Sequence, residues 1–137
     1  MTNVLTALVL FLRRNSAVSE LAKQRIHEAE LPRQENENMP RKAVVISSAG
    51  GFVYTRDLPL VNQRYDVWSY GETFYEAHLL DRAIYDALKS ISRVVSDKVL
   101  LHSVALAGGP NQYRDPNTDW PVMIRTISVS ADERNVT

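Results

Sequence analysis

The start of the chain places apolar side chains at helical spacing. An apolar run of nine residues, 4–12, is followed by Arg13 and Arg14, which end the predicted helix, and cations are favourable there because the C-terminal end of a helix is negative. Thr2 or Asn3 can cap the first turn. A membrane-spanning helix needs about 20 apolar residues. The shorter run therefore predicts a buried N-terminal helix and no membrane anchor.

Shorter elements are predicted up to the middle of the chain. Residues 16–24 predict a second helix, residues 25–31 a short strand or an extended lead-out, and residues 32–41 a polar loop between two prolines. Residues 42–49 are rich in β-branched side chains and predict a strand. We expect the Gly-Gly pair at 50–51 to end that strand, because glycine allows the backbone to turn.

The next stretch, residues 60–70, alternates between two faces, as a half-buried strand does. The face with Tyr65 and Val67 is the predicted core face. Trp68 and Tyr70 lie on the other face, which indicates that this face is also partly covered. Two explanations stay open. Another layer of the same chain, such as the first helix, covers them, or a partner does, since aromatic residues are enriched at interfaces.

A long helix is predicted at residues 71–91. Ser69 and Glu72 have the spacing of an S-x-x-E capping box, and Lys89 and Arg93 complement the negative end of the helix. One apolar stripe at helical spacing predicts the buried face. The stripe consists of Ala77, Leu80, Ile84, Ala87, Leu88 and Ile91.

The C-terminal third predicts two further strands, at 97–106 and 122–130, with a long turn-rich loop at 107–121 between them and a frayed tail at 131–137. Strands and helices are segregated along the chain. This order predicts an α+β fold with an antiparallel sheet of about four strands. The long helix and the N-terminal helices are expected to pack mainly on one face, in a single domain of residues 1–137.

Composition narrows the possible functions. The 137 residues include 16 Lys or Arg, 16 Asp or Glu and no cysteine. A domain that binds nucleic acid through phosphate contacts usually has a basic excess, so sequence-specific DNA binding is not expected. The lack of cysteine excludes a disulfide framework, a thiolate nucleophile and a Cys-ligated zinc.

Residues that could carry chemistry are scattered. His27, His78 and His102 lie far apart without metal-ligand spacing, and each is interpreted as partly exposed or hydrogen-bonded. Residues 115–120 start like a calcium loop, but Trp120 replaces the required glycine, so an Asx-Pro turn is predicted. No catalytic residue, cofactor or metal site is predicted, and the protein is not expected to be an enzyme.

The order of elements and several short motifs resemble one family. "NSAVSELAKQRIHEAELPR" follows the first helix, the strand "MPRKAVVIS" comes next, and "QRYDVWSYG" runs into the helix "ETFYEAHLLDRAIYDAL". Near the end, "YRDPNTDWP" precedes the strand "VMIRTISVSA". Over residues 4–130 this order is similar to the tail-completion, or tail-terminator, family of tailed bacteriophages.

The resemblance implies a structural role without catalysis. Proteins of that family are small α+β subunits that assemble into a ring, commonly of six, at the head-proximal end of the tail tube. By resemblance, this chain would be a virion protein at the head-tail junction that assembles in the host cytoplasm. Its partners would be other copies of itself in a hexameric ring, the tail tube protein and the head-closure or connector protein. DNA would pass only as cargo through the lumen, with no membrane involved.

Candidate interface residues are aromatic and charged side chains on predicted outer faces and long loops. On the long helix, Tyr75, His78, Arg82 and Tyr85 form either a partner-facing flank or a solvated edge, and Asp81 is assigned to the solvated face beside His78 and Arg82. The full candidate set is Arg56, Asp57, Trp68, Tyr70, Tyr75, His78, Arg82, Tyr85, Tyr113, Arg114, Asp115 and Trp120.

Two other functions stay open. One is another neck ring component, such as a head-closure or adaptor protein, which would bind on the portal side rather than to the tail tube. The other is a small α+β enzyme or ligand-binding domain, in which His27, His102 and residues 115–119 would lie near one pocket.

Overall fold

The structure is a computed structural model that describes residues 3–53 and 60–132. The described chain contains four helices and six strands: α1 (Val4–Arg14), α2 (Ser16–Ala22), β1 (Ile26–Glu28), α3 (Arg33–Asn36), β2 (Ala43–Val53), β3 (Leu60–Tyr70), α4 (Phe74–Lys89), β4 (Ser92–Ser96), β5 (Val99–Arg114) and β6 (Pro121–Asp132). The predicted α+β class is confirmed. None of the helices in this part of the chain combines the length and apolar character needed to cross a membrane.

The strands form one sheet with the order β1-β2-β3-β6-β5-β4. β1 runs parallel to β2, and all the other neighbours are antiparallel. The prediction of about four antiparallel strands is therefore corrected to six mixed strands. The sequence left β1 open as a strand or a lead-out, and it missed β4. β4 has only five residues and is mostly exposed, so it shows no clear alternation of apolar and polar positions.

Both glycine pairs lie inside strands, where two strand ends had been predicted. β2 continues to Val53 and β5 to Arg114, with register shifts beside the glycines. Gly109 has a φ of 82°, and a Cβ added there would lie 2.6 Å from the carbonyl oxygen of Ile124. Glycines that form such bulges resemble turn residues in a sequence. Residues 107–114 were predicted as loop for this reason.

The chain ends differ slightly from the prediction. The predicted N-terminal helix is confirmed, with Asn3 as its cap: the Asn3 side chain accepts a hydrogen bond of 2.8 Å from the N–H of Thr6. β6 includes Ala131 and Asp132, which were predicted to belong to a frayed tail. The rest of that tail, 133–137, lies outside the described residues.

The predicted polar loop at 32–41 contains the one-turn helix α3. Glu35 in this helix is buried and receives two hydrogen bonds from Arg41, Nε to Oε1 at 2.6 Å and Nη2 to Oε2 at 2.8 Å. These hydrogen bonds lower the pKa of the Glu35 carboxyl, although burial opposes them. The ion pair therefore joins the one-turn helix to the other end of the same segment, just before β2, which its polar sequence did not indicate.

Helix α4 begins later than predicted. Thr73 caps it, because its Oγ1 accepts a hydrogen bond of 3.2 Å from the N–H of Glu76. The capping box predicted at Ser69 and Glu72 is wrong. Ser69 is the penultimate residue of β3 and is buried, and its Oγ has no hydrogen-bond partner among the described residues. The spacing of a capping box recurs four residues later as T-x-x-E, at Thr73 and Glu76, and α4 ends at Lys89.

The main core lies between one face of the sheet and helices α1, α2 and α4. All six residues of the predicted apolar stripe of α4 are buried, as are Tyr65 and Val67 of β3, so these predictions are confirmed. The largest fully buried side chains include Leu8, Leu12, Ile26, Ile46, Leu80, Ile84, Leu88, Leu101 and Ile127.

An ion pair crosses the interface between α4 and β6. Arg125 donates from Nε to Asp81 Oδ1 at 3.0 Å and from Nη2 to Asp81 Oδ2 at 2.7 Å. Asp81 is 1% exposed and Arg125 is 5% exposed. The assignment of Asp81 to a solvated face is therefore wrong. The residue lies beside Leu80 on the buried side of the helix, where only the opposing strand supplies its partner.

Candidate interface surfaces

The sheet face opposite the helices carries a second, smaller hydrophobic cluster, which we call the open-face cluster. It lies at the end of the sheet where β3 ends and β6 begins, because Tyr70 is in register with Val122. Segments from the loop around α3 and from the turn at 115–120 flank it. Its members are the buried Val45, Tyr70 and Val122 and the partly buried Leu31, Met39, Trp68, Trp120 and Ile124.

A cleft of about 610 Å³ opens beside this cluster, and we call it the aromatic cleft. Trp68 donates its indole N–H to Ser47 Oγ at 3.2 Å, which fixes the plane of its ring. The rings of Tyr70 and Trp120 meet edge to face with centroids 6.2 Å apart. The cleft is lined by Ala29, Glu30, Leu31, Asn36, Val45, Ser47, Trp68, Tyr70, Asp115, Thr118 and Trp120.

The two aromatic residues of β3 are partly covered by their own chain. Tyr70 is 8% exposed, and the cover comes from the turn at 115–120 and the loop around α3 rather than from the first helix. Burial raises the pKa of Tyr70 to about 12, and the nearby carboxylate of Asp115 contributes. Trp68 and Trp120 remain half-buried in the open cleft. Their contact with a partner stays a prediction.

The turn at 115–120 is an Asx turn, as the sequence predicted. Asp115 Oδ1 accepts hydrogen bonds from the backbone N–H groups of Asn117 at 2.8 Å and Thr118 at 3.2 Å. No group of three or more His, Cys, Asp or Glu residues that could hold a metal ion occurs in the part of the chain that the structure describes. The carboxylate of Asp115 therefore builds the turn and also lines the aromatic cleft.

The hypothesis of one pocket lined by His27 and His102 is wrong. His27 lies on β1 and His102 on β5, which are four strand-to-strand steps apart in the sheet. At about 4.8 Å a step, the two residues are separated by roughly 19 Å. Both side chains are half-buried, and the Nε2 atoms of both are buried without a hydrogen-bond partner among the described residues.

The outer side of α4 forms a separate exposed surface. Tyr75 is 69% exposed, and Leu79, which sequence reasoning did not single out, is 39% exposed one turn later. His78 is also exposed, and Arg82 pairs with Asp86 at 3.4 Å. The available sequence signal for Leu79 was its position four residues after Tyr75, which places the two side chains next to each other on a helix.

Tyr85 differs from the other candidates on this helix because it is half-buried. Its ring lies 4.1 Å from the guanidinium carbon of Arg125, and Arg82 and Lys89 also approach it, at 5.6 Å and 5.0 Å. Tyr85 therefore shields the buried ion pair.

The remaining candidates lie at the end of β5 or outside the described residues. Tyr113 is 41% exposed. Arg114 packs its guanidinium 5.0 Å from the centre of the Phe74 ring and donates to the carbonyl oxygen of Asp119 at 2.9 Å. Arg56 and Asp57 fall in the part of the chain that is not described. The structure thus brings Trp68, Tyr70, Asp115 and Trp120 together in one cleft and places Tyr75, His78 and Arg82 on another surface.

Sequence reasoning missed the β4–β5 hairpin. Its two-residue turn, Asp97-Lys98, has φ values of 48° and 65°, which suit a tight hairpin turn. Val95 is 51% exposed, and Arg93 and Lys98 are exposed on the same hairpin. The available signal was the pair of charged residues between two runs of β-branched and aliphatic residues.

Comparisons with known proteins concern the fold. No protein-family model matches the sequence, and no curated protein sequence matches it. The structure is similar to a chain in the virion of a native gene transfer agent (GTA) particle, with a TM-score of 0.68 and 13% identity over 94% of each chain. It is also similar to the bacteriophage SPP1 gp17 protein, with a TM-score of 0.46 and 17% identity over 96% of this chain and 89% of that one. This protein therefore shares the fold of a chain found in the virion of a gene transfer agent.

Proposed function

We propose that this protein is a structural subunit of a phage-type virion and acts as a tail terminator. In this proposal about six copies form a ring that caps the tail tube at the head-tail junction and joins it to the head connector. The observation that carries the proposal is the fold shared with a chain of the GTA virion over 94% of both chains. The order of motifs over residues 4–130, which is similar to the tail-completion family, supports the same role.

The surface of the subunit supports a role in assembly. Exposed apolar side chains mark contact sites where they lie next to one another. Tyr75 and Leu79 are neighbours on α4, and Val95 protrudes from the β4–β5 hairpin. The chain carries equal numbers of acidic and basic residues, 16 of each. Zero net charge suits a ring that lets DNA pass, because phosphate contacts would retain it.

The proposal is tested by the native mass of the purified protein, measured alone and with tail tubes that lack a terminator. We expect a ring of about six copies, either free or at the tube ends. A ring that binds only portal-side proteins would identify a head-closure or adaptor component instead. A monomer that binds neither would contradict a neck role.

A further inference from the structure

We infer that neighbouring subunits join by inserting the β4–β5 hairpin of one copy into the aromatic cleft of the next. The inserting side chains are Arg93, Val95 and Lys98, which we call the hairpin knob. This inference rests on the proposed function, since it concerns the contact between copies in the ring. It assigns the second copy of this chain as the occupant of the cleft.

The knob presents an apolar side chain between two cations. Val94 packs against the main core, so Val95, the next residue of the strand, points to the opposite side, where it is 51% exposed. Arg93 and Lys98 flank it in the sequence and are exposed. Neither forms an ion pair with a residue that the structure describes. The knob therefore presents two cations, unpaired among the described residues, and an exposed apolar side chain to a binding partner.

Both cations occupy strained backbone positions. Arg93 has a φ of 54° and Lys98 a φ of 65°, in the left-handed region that glycine adopts without penalty. Within the subunit neither side chain makes a charged contact with a described residue that would offset this strain. Residues held in such conformations are frequently functional. The hairpin turn sets this backbone at Lys98, and a lysine there in place of glycine adds an exposed cation to the knob.

The cleft complements the knob in charge and in shape. Its described lining includes two carboxylates, those of Glu30 and Asp115, and no cation. The rings of three aromatic residues, Trp68, Tyr70 and Trp120, line the cleft. Aromatic side chains in a pocket usually contribute most of the binding energy of an interface. A volume of about 610 Å³ accommodates a valine and the aliphatic part of a neighbouring cationic side chain.

The positions of knob and cleft fit a ring. β4 forms one edge of the sheet and β1 the other, and the cleft lies on the β1 side, next to β2 and β3. A contact between two different edges repeats from subunit to subunit, whereas a patch that pairs with itself stops at a dimer. Each copy can therefore bind one neighbour through its knob and another through its cleft.

The first test separates folding from assembly with two matched glycine variants. Lys98→Gly removes a knob cation and relieves its backbone strain. Lys23→Gly relieves the same kind of strain at an exposed lysine with a φ of 57°, far from the knob in sequence. We expect both variants to melt at or above the wild-type temperature. Only Lys98→Gly should weaken the subunit contact, by about tenfold in association constant, as measured by native mass against concentration.

The second test exchanges the charges across the contact, in which we pair Lys98 of one copy with Glu30 of the next. Lys98→Glu and Glu30→Lys should each weaken the ring by about tenfold or more, because each places like charges together. The chain that carries both substitutions should recover much of the loss, since residues 98 and 30 again have opposite charges. Glu20→Lys, at an exposed carboxylate on α2, serves as a charge-matched surface control and should leave the ring intact.

The outcomes separate the two proposals. Rings that form equally well in Lys98→Gly, Lys98→Glu and Glu30→Lys would overturn the knob-and-cleft contact and leave the terminator proposal standing. Weakening by both charge changes without recovery in the double variant would also overturn the inferred pairing. A wild-type chain that forms no ring, alone or on tube ends, would overturn both proposals.

Discussion

The two faces of the sheet differ in how much of the protein they hold together. The helix-covered face carries one continuous core with a buried ion pair, Asp81–Arg125. The open face has a small cluster at one end and polar pairs along the rest, such as the Thr126 hydroxyl that donates to Asp66 at 2.6 Å. We infer from this difference that the stability of the fold depends mainly on the helix-covered face. The second face leaves the rings of Trp68 and Trp120 only half-buried, beside an open cleft.

We expect the largest loss of stability when the ion pair on the helix-covered face is broken. Asp81→Ala leaves the guanidinium of Arg125 buried without its carboxylate, so we expect a loss of about 3–5 kcal/mol in the free energy of unfolding. Chemical denaturation followed by circular dichroism measures it. The double variant Asp81→Leu with Arg125→Met is the control. Stability close to wild type in that variant would show that the unpaired charge, rather than lost packing, causes the effect.

The second prediction compares apolar side chains on the two faces. Leu80→Ala opens a cavity in a fully buried site and should cost about 2–5 kcal/mol of unfolding free energy. Trp120→Ala removes a larger side chain from the open face, yet it should cost only about 1 kcal/mol because the ring is half-exposed. Urea denaturation of both variants measures the difference. Equal losses of unfolding free energy would contradict the inference that stability depends mainly on the helix-covered face.

The third prediction concerns the link between β3 and α4. Thr73→Ala removes the hydroxyl that caps α4 and should lower the free energy of unfolding by about 1 kcal/mol. Ser69→Ala removes a buried hydroxyl that has no described partner, so it should leave stability unchanged or raise it. Thermal unfolding of the two variants decides which residue caps the helix. A loss in Ser69→Ala alone would contradict the structure.

The smallest effect is a pH dependence at the border of the open face. Burial lowers the pKa of His27, and Arg13 and Arg25 add to this, although Glu35 opposes it. The unfolded chain therefore binds a proton more readily than the folded one. Stability should fall as the pH drops below about 6.5 towards the lower folded pKa. Melting temperatures of wild type and His27→Gln between pH 7 and pH 5 test it, and the variant should lose less. Parallel curves would exclude His27 as the cause.

Periodic apolar patterns predicted the described parts of the core well. The stripe of α4 and the alternation around Tyr65 and Val67 each reflect burial on one side of a regular element, which a sequence encodes directly. The glycine pairs misled the prediction, because a bulge inside a strand and a turn between strands use the same residue type for the same conformational freedom. The short, exposed β4 lacked any periodic signal.

The candidate interface was only partly predictable. Trp68, Tyr70, Asp115 and Trp120 were singled out separately as aromatic or loop residues, and only the fold brings them to one cleft. Val95 and Lys98 were missed because a charged, exposed hairpin looks like an ordinary surface loop, and Arg93, predicted to complement the end of the long helix, lies in β4 instead. The unusual feature of the hairpin is the positive φ of Arg93 and Lys98, which has no signature in their residue types.

The sequence by itself determined the α+β class, the N-terminal helix, the buried face of α4 and the Asx turn, because each depends on residues close together in the chain. The tertiary structure decided the strand order, the partner of Asp81 and the convergence of the cleft. These features depend on contacts between residues far apart in sequence, such as Asp81 with Arg125, 44 positions away. Apolar periodicity specifies which side of an element is buried, and only the assembled sheet specifies what it is buried against.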